Sequence, residues 1–556
     1  MEMPLVWAHR GASAQFPENT LKAFEEAVLA GADGIELDIQ MSSDGEIVVI
    51  HDETLERTSD GTGWVKDHTL QELKRMDFSK THPECGISRI PAMKEVLALL
   101  KDTDVTVNIE LKTGIVDYDG IEEKIIAMVH SHGMEDRVVY SSFNHATIMN
   151  IKRIDPKARV AFLYADGPLG IVDYALCHGV TRLHPAVYNL RLEDLPKRAR
   201  ENGIELNVWT VDGEELLDLC QKAGVHAVIT NTPREAVQYY GVQRYRGFVE
   251  QSLAPWLAKS IRQERIESAD GTILQAYYAL CSQEKGAILI AHGVCEFFGK
   301  YHEIAYRFHQ HGYSVFFVEM RGHGKSERVD GLEEGKVYVD SFDEYVQDLD
   351  ALVDFARKVS SSDRLMAFGH SMGSCVAALY MERNPDVFAC GVFSSPMFQM
   401  NLGKVPQAAV GAMAVYLDLA DNGVEYAPGQ HGFTGEYAFA QSNCLDKARY
   451  DYQFDQRLAD PDYQTWGVTW AWTRAAHVAC QEAIKNAGQL ACPVLVCEAG
   501  QDALVKNEGI ENFDARSPYV SVARFEDSRH EIFNACDKTR EAYYDAVLRY
   551  FDAFAR

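Results

Sequence analysis

The sequence predicts two unrelated α/β units in series: a (β/α)8 barrel over residues 1–245, then a doubly wound parallel sheet with a helical cap over residues 246–556. Three observations carry this. Short apolar runs alternate with helical stretches as far as residue 240, the pattern of repeated βαβ units. A second series of such runs begins near residue 287 and is interrupted by a long stretch at about 400–490, which reads as the cap. Finally, 556 residues exceed one ordinary hydrophobic core, and no internal repeat relates the halves.

Nine strand-like runs occur in the first unit: 5–9, 34–39, 46–51, 106–111, 138–142, 159–164, 181–185, 205–211 and 227–231. The second and third are joined only by a short turn around SSDG, too short for a crossover between parallel strands. The third run is therefore expected as a hairpin excursion, which leaves eight strands for the barrel. Residues 52–104 are expected as an excursion before the next barrel strand, and residues 239–264 as a less regular link. In the second unit the runs are 287–293, 314–320, 364–371, 390–396, 493–500 and 520–526, separated mostly by helical segments. That alternation predicts a parallel sheet covered on both faces.

Composition bounds the function. With 47% hydrophobic and 24% charged residues the chain is globular in type, and its formal charge of −28 argues against nucleic acid as a partner and against bulk attraction to anionic membranes. Twelve cysteines occur without a C-x-x-C, so neither a zinc ribbon nor a disulfide framework is expected. MEMPLVWAHRG enters a strand at once, unlike a signal peptide, and no run of about 18 apolar residues reads as a membrane span. The expected location is cytoplasmic, with peripheral membrane contact through the cap an open alternative.

Chemistry-bearing residues of the first unit gather at predicted strand ends. Glu36 and Asp38 lie two apart on GIELDI and share a face; Glu110 and Lys112 repeat that spacing, His9 and Arg10 end the first strand, and His51 ends the hairpin. Two carboxylates side by side in a buried place need compensating positive charge. An all-oxygen set of Glu36, Asp38 and Glu110 suits a hard divalent cation, Mg²⁺ or Ca²⁺. Arg10 and Lys112 would share developing negative charge, and two histidines supply general acid and base near neutrality.

HRG…PENT (9–20), ELDIQMSSDGEIVVIHD (36–52), LERTSDGTG (55–63) and IELK (109–112) resemble the glycerophosphodiester phosphodiesterase family over about residues 4–240. The resemblance implies a metal-dependent barrel that cleaves glycerophosphodiesters to glycerol 3-phosphate and an alcohol. It implies His9 and His51 as the acid/base pair, attack by the substrate's own 2-hydroxyl, and, through SSFN (141–144) and VWTVD (208–212), Phe143 and Trp209 as pocket aromatics. Asp212 stands where the family often has Asn.

In the second unit FGHSMGS (368–374) contains G-x-S-x-G, which a chain of this length matches by chance roughly 0.2 times. A strand before it and a helix after it are the setting in which a sharp turn exposes a serine, here Ser371. Asp502 and His530 follow in the order acid, base, and Asp527 is a competing carboxylate. Backbone amides of Val294 and Met372 are expected as the oxyanion hole. HGVCEFFGKY (292–301), EMRGHGKS (319–326), the serine elbow and SRHE resemble α/β-hydrolases of the lysophospholipase and monoacylglycerol lipase group, with VDSFDEYVQDLDALV (339–353) and SSPMF (394–398) closer to bacterial lysophospholipases. The apolar run 407–420 and Trp466, Trp470 and Trp472 are expected as core or as an acyl-binding surface. Arg244, Arg246, Lys259, Arg262 and Arg265 in the link read as a solvated face, with contact to phospholipid headgroups the alternative.

Together the halves predict a bifunctional phospholipid-degrading hydrolase. Removal of the last acyl chain from a lysophospholipid gives a glycerophosphodiester with a free 2-hydroxyl, which the barrel then splits. Three alternatives stay open: a lysophospholipase D activity of the barrel, a monoacylglycerol lipase as second unit, or one half a silent lipid-binding module.

Overall fold

A computed structural model of the chain describes residues 3–192, 194–329, 331–333, 335–403 and 423–555. The chain divides into two compact units, Met1–Arg244 and Tyr245–Arg556.

The first unit is a closed barrel of parallel strands β1 (Leu5–His9), β2 (Gly34–Met41), β4 (Thr106–Leu111), β5 (Val138–Ser142), β6 (Arg159–Tyr164), β7 (Arg182–Pro185), β8 (Glu205–Val208) and β9 (Ala227–Thr230). β1 pairs with both β2 and β9 and so closes it, while β3 (Ile47–Val49) lies antiparallel on β2 as the expected hairpin. The expected excursion ends with a barrel helix, Met93–Leu100; the remainder packs Leu55, Val65, Leu73 and Phe78 against Val48 of β3 in a small core of its own.

β2 is buried on both faces, and its period of two sorts the residues. Ile35, Leu37 and Ile39 join the core under the surrounding helices. Gly34, Glu36, Asp38 and Gln40 occupy the opposite face. Gly34 is required there: a Cβ would lie 2.5 Å from Cδ1 of Trp7, which clusters with Val139, Ala161, Ala227 and Ile229. Register sets the site above that plug, since His9 is the strand partner of Glu36 and Asp38 that of Glu110.

The second unit is an eight-stranded sheet in the order β10-β11-β13-β12-β14-β15-β16-β17. The six expected strands appear as β12 (Ala287–Ala291), β13 (Ser314–Glu319), β14 (Leu365–His370), β15 (Phe388–Ser394), β16 (Val494–Ala499) and β17 (Val520–Phe525), all parallel. Two strands were not expected: β10 (Arg262–Glu267) and β11 (Ile273–Ala279) form an antiparallel hairpin that extends the sheet past β13. β10, RQERIE, is an exposed edge strand with one buried side chain, so it lacks the apolar run that marks a central strand. The link expected to be irregular is helical, over Pro233–Phe248 and Ala254–Ser260. Strand order reverses about β12, with β13 added on one side and β14 on the other, and the crevice at that switch point is where such sheets place their sites.

Within the stretch expected as a cap, helix Lys447–Ala459 precedes helix Trp470–Asn486. The latter packs its Ala475, Ala476, Ala479 and Cys480 into the core that holds helix Met372–Arg383. Trp472 is buried against Phe342, whereas Trp466 is half-exposed. The run 407–420 lies outside the described residues. No helix among the described residues is long and apolar enough to cross a membrane, and all twelve cysteines are free thiols.

Glu382, near the end of helix Met372–Arg383, is buried with neither carboxylate oxygen hydrogen-bonded. Burial, then the nearby Glu482, push its pKa from 4.5 up to about 9. Between those values the native state keeps a proton that the unfolded chain has released. Stability therefore falls by about 1.4 kcal/mol per pH unit as pH rises through that window. Glu382→Gln is expected to raise stability by no more than about 1 kcal/mol at pH 5 and by about 3 kcal/mol at pH 7. Calorimetric transitions of both proteins from pH 5 to 9 check this.

Candidate active sites

In the barrel, Glu36, Asp38 and Glu110 each bring a carboxylate oxygen within 4.8 Å of the other two, and all three are buried. Cations ring them. Arg10 Nε lies 3.3 Å from Asp38 Oδ2, the Arg10 backbone N–H donates to Glu36 Oε2 at 3.0 Å, and Lys112 Nζ donates to Glu110 Oε1 at 2.9 Å. Asn19 Nδ2 donates to Asp38 Oδ2 at 2.9 Å. Burial alone would raise Asp38, but Arg10, His51, Lys112 and the Asn19 bond outweigh it and hold the carboxyl below its usual range. Burial and repulsion from Asp38 push Glu110 up to about 7, and the same causes, with Glu110 added, push Glu36 well above the ordinary range. The local cations thus do not offset three buried negative charges. Asp38 Oδ1 is also buried without a hydrogen bond. A trio of hard oxygen donors, one of them orphaned, fits a divalent cation of the Mg²⁺ or Ca²⁺ kind.

The two histidines flank this cluster, each ring held by its Nδ1. His9 Nδ1 bonds Asn231 Oδ1 at 2.7 Å, and Asp212 fixes that asparagine by accepting from Asn231 Nδ2 at 2.6 Å and Asn231 N at 2.9 Å. Burial, then the Arg10 charge, lower His9 to about 4. His51 Nδ1 bonds Asp52 Oδ1 at 2.6 Å. Arg57 grips Asp52 through Nε at 2.5 Å and Glu18 through Nη1 at 2.7 Å, and Glu18 in turn accepts from Arg10. Phe143 and Trp209 meet edge to face with centroids 5.7 Å apart, Phe143 being 46% exposed.

Asn231, Arg57, Glu18 and Asn19 carry no role in the sequence analysis, and Asp52 enters only as the neighbour of His51. Signals were present for some: Asp52 adjoins His51, and Asn231 is the polar residue directly after the last barrel strand.

In the second unit Ser371 stands between β14 and helix Met372–Arg383 with φ 51° and ψ −116°. Two glycines permit this turn. A Cβ at Gly369 would lie 2.6 Å from Ser374 Cα, and one at Gly373 would lie 2.1 Å from Ala291 O at the end of β12. His530 Nδ1 bonds Asp502 Oδ2 at 2.7 Å, and Asp502 also accepts from the backbone N–H groups of Leu504 and Val505. Burial would raise Asp502, but these bonds and the His530 charge hold it low. His530 Nε2 is buried and has no hydrogen-bond partner, so no bond to Ser371 Oγ is formed. Apo sites often tighten such bonds only around substrate.

Met372 is the first residue of its helix, where a backbone N–H has no intrahelical acceptor. Val294 lies in the loop after β12, anchored where Gly293 N donates to Glu296 Oε2 at 2.7 Å. Glu296 is buried and also bonds Lys300 and Tyr301, a cluster that no sequence motif marks.

A closed barrel with an acidic cluster and two anchored histidines, and a sheet with a serine elbow beside an Asp–His pair, define a chain of two hydrolase domains. A family model described as glycerophosphoryl diester phosphodiesterase matches residues 9–235, and one described as serine aminopeptidase, S33, matches residues 282–537. A glycerophosphodiester phosphodiesterase of Caldanaerobacter subterraneus is 44% identical over 234 residues, 42% of this chain and 96% of that protein. One from Bacillus altitudinis is 36% identical over 239 residues, 42% of this chain and 98% of its own. Among solved structures, an Oleispira antarctica phosphodiesterase in complex with the product sn-glycerol-3-phosphate is 26% identical with a TM-score of 0.39, covering 43% of this chain and 97% of that one. A Paleococcus ferrophilus monoacylglycerol lipase is 20% identical with a TM-score of 0.40, covering 50% and 99%. Through its first unit the chain belongs to the glycerophosphodiester phosphodiesterase family, and its second unit is an α/β-hydrolase domain.

Proposed function

We propose that the chain degrades lysophospholipids in two hydrolytic steps: serine-dependent removal of the acyl chain in the second unit, then metal-dependent cleavage of the resulting glycerophosphodiester in the first. The observation that carries this is the pairing, on one chain, of the Glu36–Asp38–Glu110 cluster with the Asp502–His530–Ser371 set. The first step's product has the free 2-hydroxyl that the second step uses.

In the deacylation, Ser371 Oγ attacks the acyl carbonyl carbon while His530 Nε2 takes its proton, and Asp502 holds the imidazolium. The Val294 and Met372 amides receive the carbonyl oxygen's charge. His530 then gives the proton to the departing glycerol oxygen. Water, deprotonated by the same histidine, releases the fatty acid and restores Ser371.

In the barrel, Glu36, Asp38 and Glu110 would hold the divalent cation, which supplies Lewis-acid polarisation of a phosphoryl oxygen when bound. Arg10 and Lys112 neutralise charge growing on phosphorus oxygens. One of His9 and His51 takes the 2-hydroxyl proton as that oxygen attacks phosphorus, and the other protonates the leaving headgroup oxygen. Water then opens the cyclic phosphate to glycerol 3-phosphate with the proton transfers reversed. Phe143 and Trp209 wall the glycerol end of the substrate.

Because Asn231 fixes the His9 ring, Asn231→Ala is expected to lower kcat on glycerophosphoethanolamine about 10- to 100-fold with KM changed less than about threefold. Steady-state kinetics check it. The proposal as a whole is tested by a fluorophosphonate probe together with a diesterase assay on the intact chain. It expects covalent labelling of the Ser371 peptide that EDTA does not alter, and glycerol 3-phosphate release that EDTA stops. Labelling elsewhere, or diesterase activity indifferent to EDTA, overturns it.

A further inference from the structure

Four arginines are buried among the described residues: Arg321, Arg449, Arg457 and Arg540. Three meet carboxylates. Arg321 pairs with Asp270, Glu344 and Asp348, Arg449 with Glu303 and Asp446, and Arg540 with Asp446 and Asp537. Arg457 does not. It is 9% exposed, and its hydrogen bonds go to two backbone carbonyls, Nη1 to Thr465 O and Nη2 to Cys295 O, both at 2.8 Å. Its guanidinium carbon lies 5.0 Å from the ring centroids of Phe297 and Trp466 and 5.9 Å from that of Phe433. Carbonyl dipoles and ring faces only partly replace water around a full positive charge, and three of its five N–H donors take no part in these bonds. In a chain with 82 acidic and 54 basic residues, carboxylates are not scarce.

The position gives that charge a use. Cys295 directly follows Val294, so Arg457 is anchored to the loop that would receive the acyl carbonyl oxygen. Arg328 approaches the same segment, with Nη2 donating to Asp462 O at 2.8 Å and Thr465 Oγ1 at 3.1 Å, and its third bond, to Ser326 O, also goes to a carbonyl. Two arginines that form no ion pair with a carboxylate among the described residues therefore converge on Thr465 beside the oxyanion loop, Arg457 feeling Glu296 and Glu531 only at a distance. In a 1-acyl lysophospholipid the phosphate sits at the far end of the glycerol from the scissile ester. With the carbonyl in the oxyanion hole, a phosphate falls within a glycerol's length of it. A guanidinium fork matches phosphate oxygens, and apolar walls strengthen the attraction.

We propose that Arg457, assisted by Arg328, binds the phosphodiester anion of the acyl substrate and makes the second unit select lysophospholipids over uncharged monoacylglycerols. This rests on the carboxylester hydrolase function proposed above for that unit.

The test measures fatty-acid release by the full chain, in EDTA, from 1-decanoyl lysophosphatidylethanolamine and 1-decanoylglycerol, each below its micelle concentration so that surface charge is not in play. In Arg457→Met the ratio of kcat/KM for the phospholipid to that for the monoacylglycerol is expected to fall at least about tenfold. Arg457→Lys is expected to fall less, and the more accessible Arg328→Met about threefold. If Arg457→Met does not fold, as circular dichroism reports, the ratios of the other two variants decide. A ratio unchanged in the variants means that Arg457 only ties the cap segment to the loop, and the inference fails alone. A wild-type chain that releases fatty acid from neither ester fails the parent proposal, and a wild type that prefers the monoacylglycerol overturns the inference directly.

Discussion

Ser371→Ala is expected to lower fatty-acid release by at least about 10⁴-fold, because the residual binding and oxyanion groups cannot replace the nucleophile. The substitution is mild for the fold. Ser371 keeps φ 51° through the hydrogen bonds around it, where Ser371 N donates to Ser394 O at 3.0 Å and Met397 N to Ser371 O at 3.0 Å. Neither bond involves the side chain. Alanine and serine both carry the Cβ that makes positive φ strained, so the substitution adds little strain to what the wild type already bears. Diesterase activity is expected to persist, because its residues all lie in the first unit, Met1–Arg244. Product analysis on a lysophospholipid and, separately, on glycerophosphoethanolamine checks both halves. Loss of the two activities together contradicts independent sites.

Glu36→Gln is expected to have the second largest effect, a fall in diesterase kcat on the order of 10³-fold. The amide fills the same space but no longer supplies a full negative charge to a cation. A second measurement separates metal loss from misfolding. In wild type, Mg²⁺ or Ca²⁺ at about 100 times its dissociation constant should stabilise the first unit by about 2.7 kcal/mol, since only the folded barrel assembles the three carboxylates. Glu36→Gln should lose most of that gain. Without added metal the variant should melt no lower than wild type, because burial and repulsion from Asp38 and Glu110 already push the Glu36 carboxyl toward its neutral form. A metal-free variant that melts far lower assigns Glu36 a packing role instead.

Most of the fold was legible because the central strands are buried on both faces. Runs such as AILIA in β12 and SVFFVE in β13 have no polar alternation to confuse with loops, and a turn too short for a crossover marked β3 as a hairpin. β10 escaped for the converse reason: an edge strand with one inward residue has little hydrophobic signal, although the SADGT turn between it and β11 contains an Asp-Gly pair typical of hairpins. The helical link at 239–260 was hidden by its scatter of apolar and charged residues.

For the sites, spacing was informative where a strand dictates geometry. Two residues apart on β2, and in register across to β4, are relations that sequence carries, and they bring Glu36, Asp38 and Glu110 together. Partners that reach a ring from loops distant in sequence were not legible in this way. Asn231 lies 222 residues from His9, and Arg457 lies 162 from Cys295. No local pattern encodes such contacts, which exist only once the barrel has closed and the helix Lys447–Ala459 has met the loop after β12.

The central claim is that one chain first deacylates and then splits a lysophospholipid. It is tested most directly by incubating the full chain with a 1-acyl lysophosphatidylethanolamine, with and without EDTA, and identifying the products by mass spectrometry. The account predicts fatty acid and glycerol 3-phosphate without EDTA. With EDTA it predicts undiminished fatty acid and glycerophosphoethanolamine accumulating in place of glycerol 3-phosphate. Formation of lysophosphatidic acid or its cyclic form, suppressed by EDTA, would contradict it: the barrel would then take the acylated lipid directly, as a lysophospholipase D.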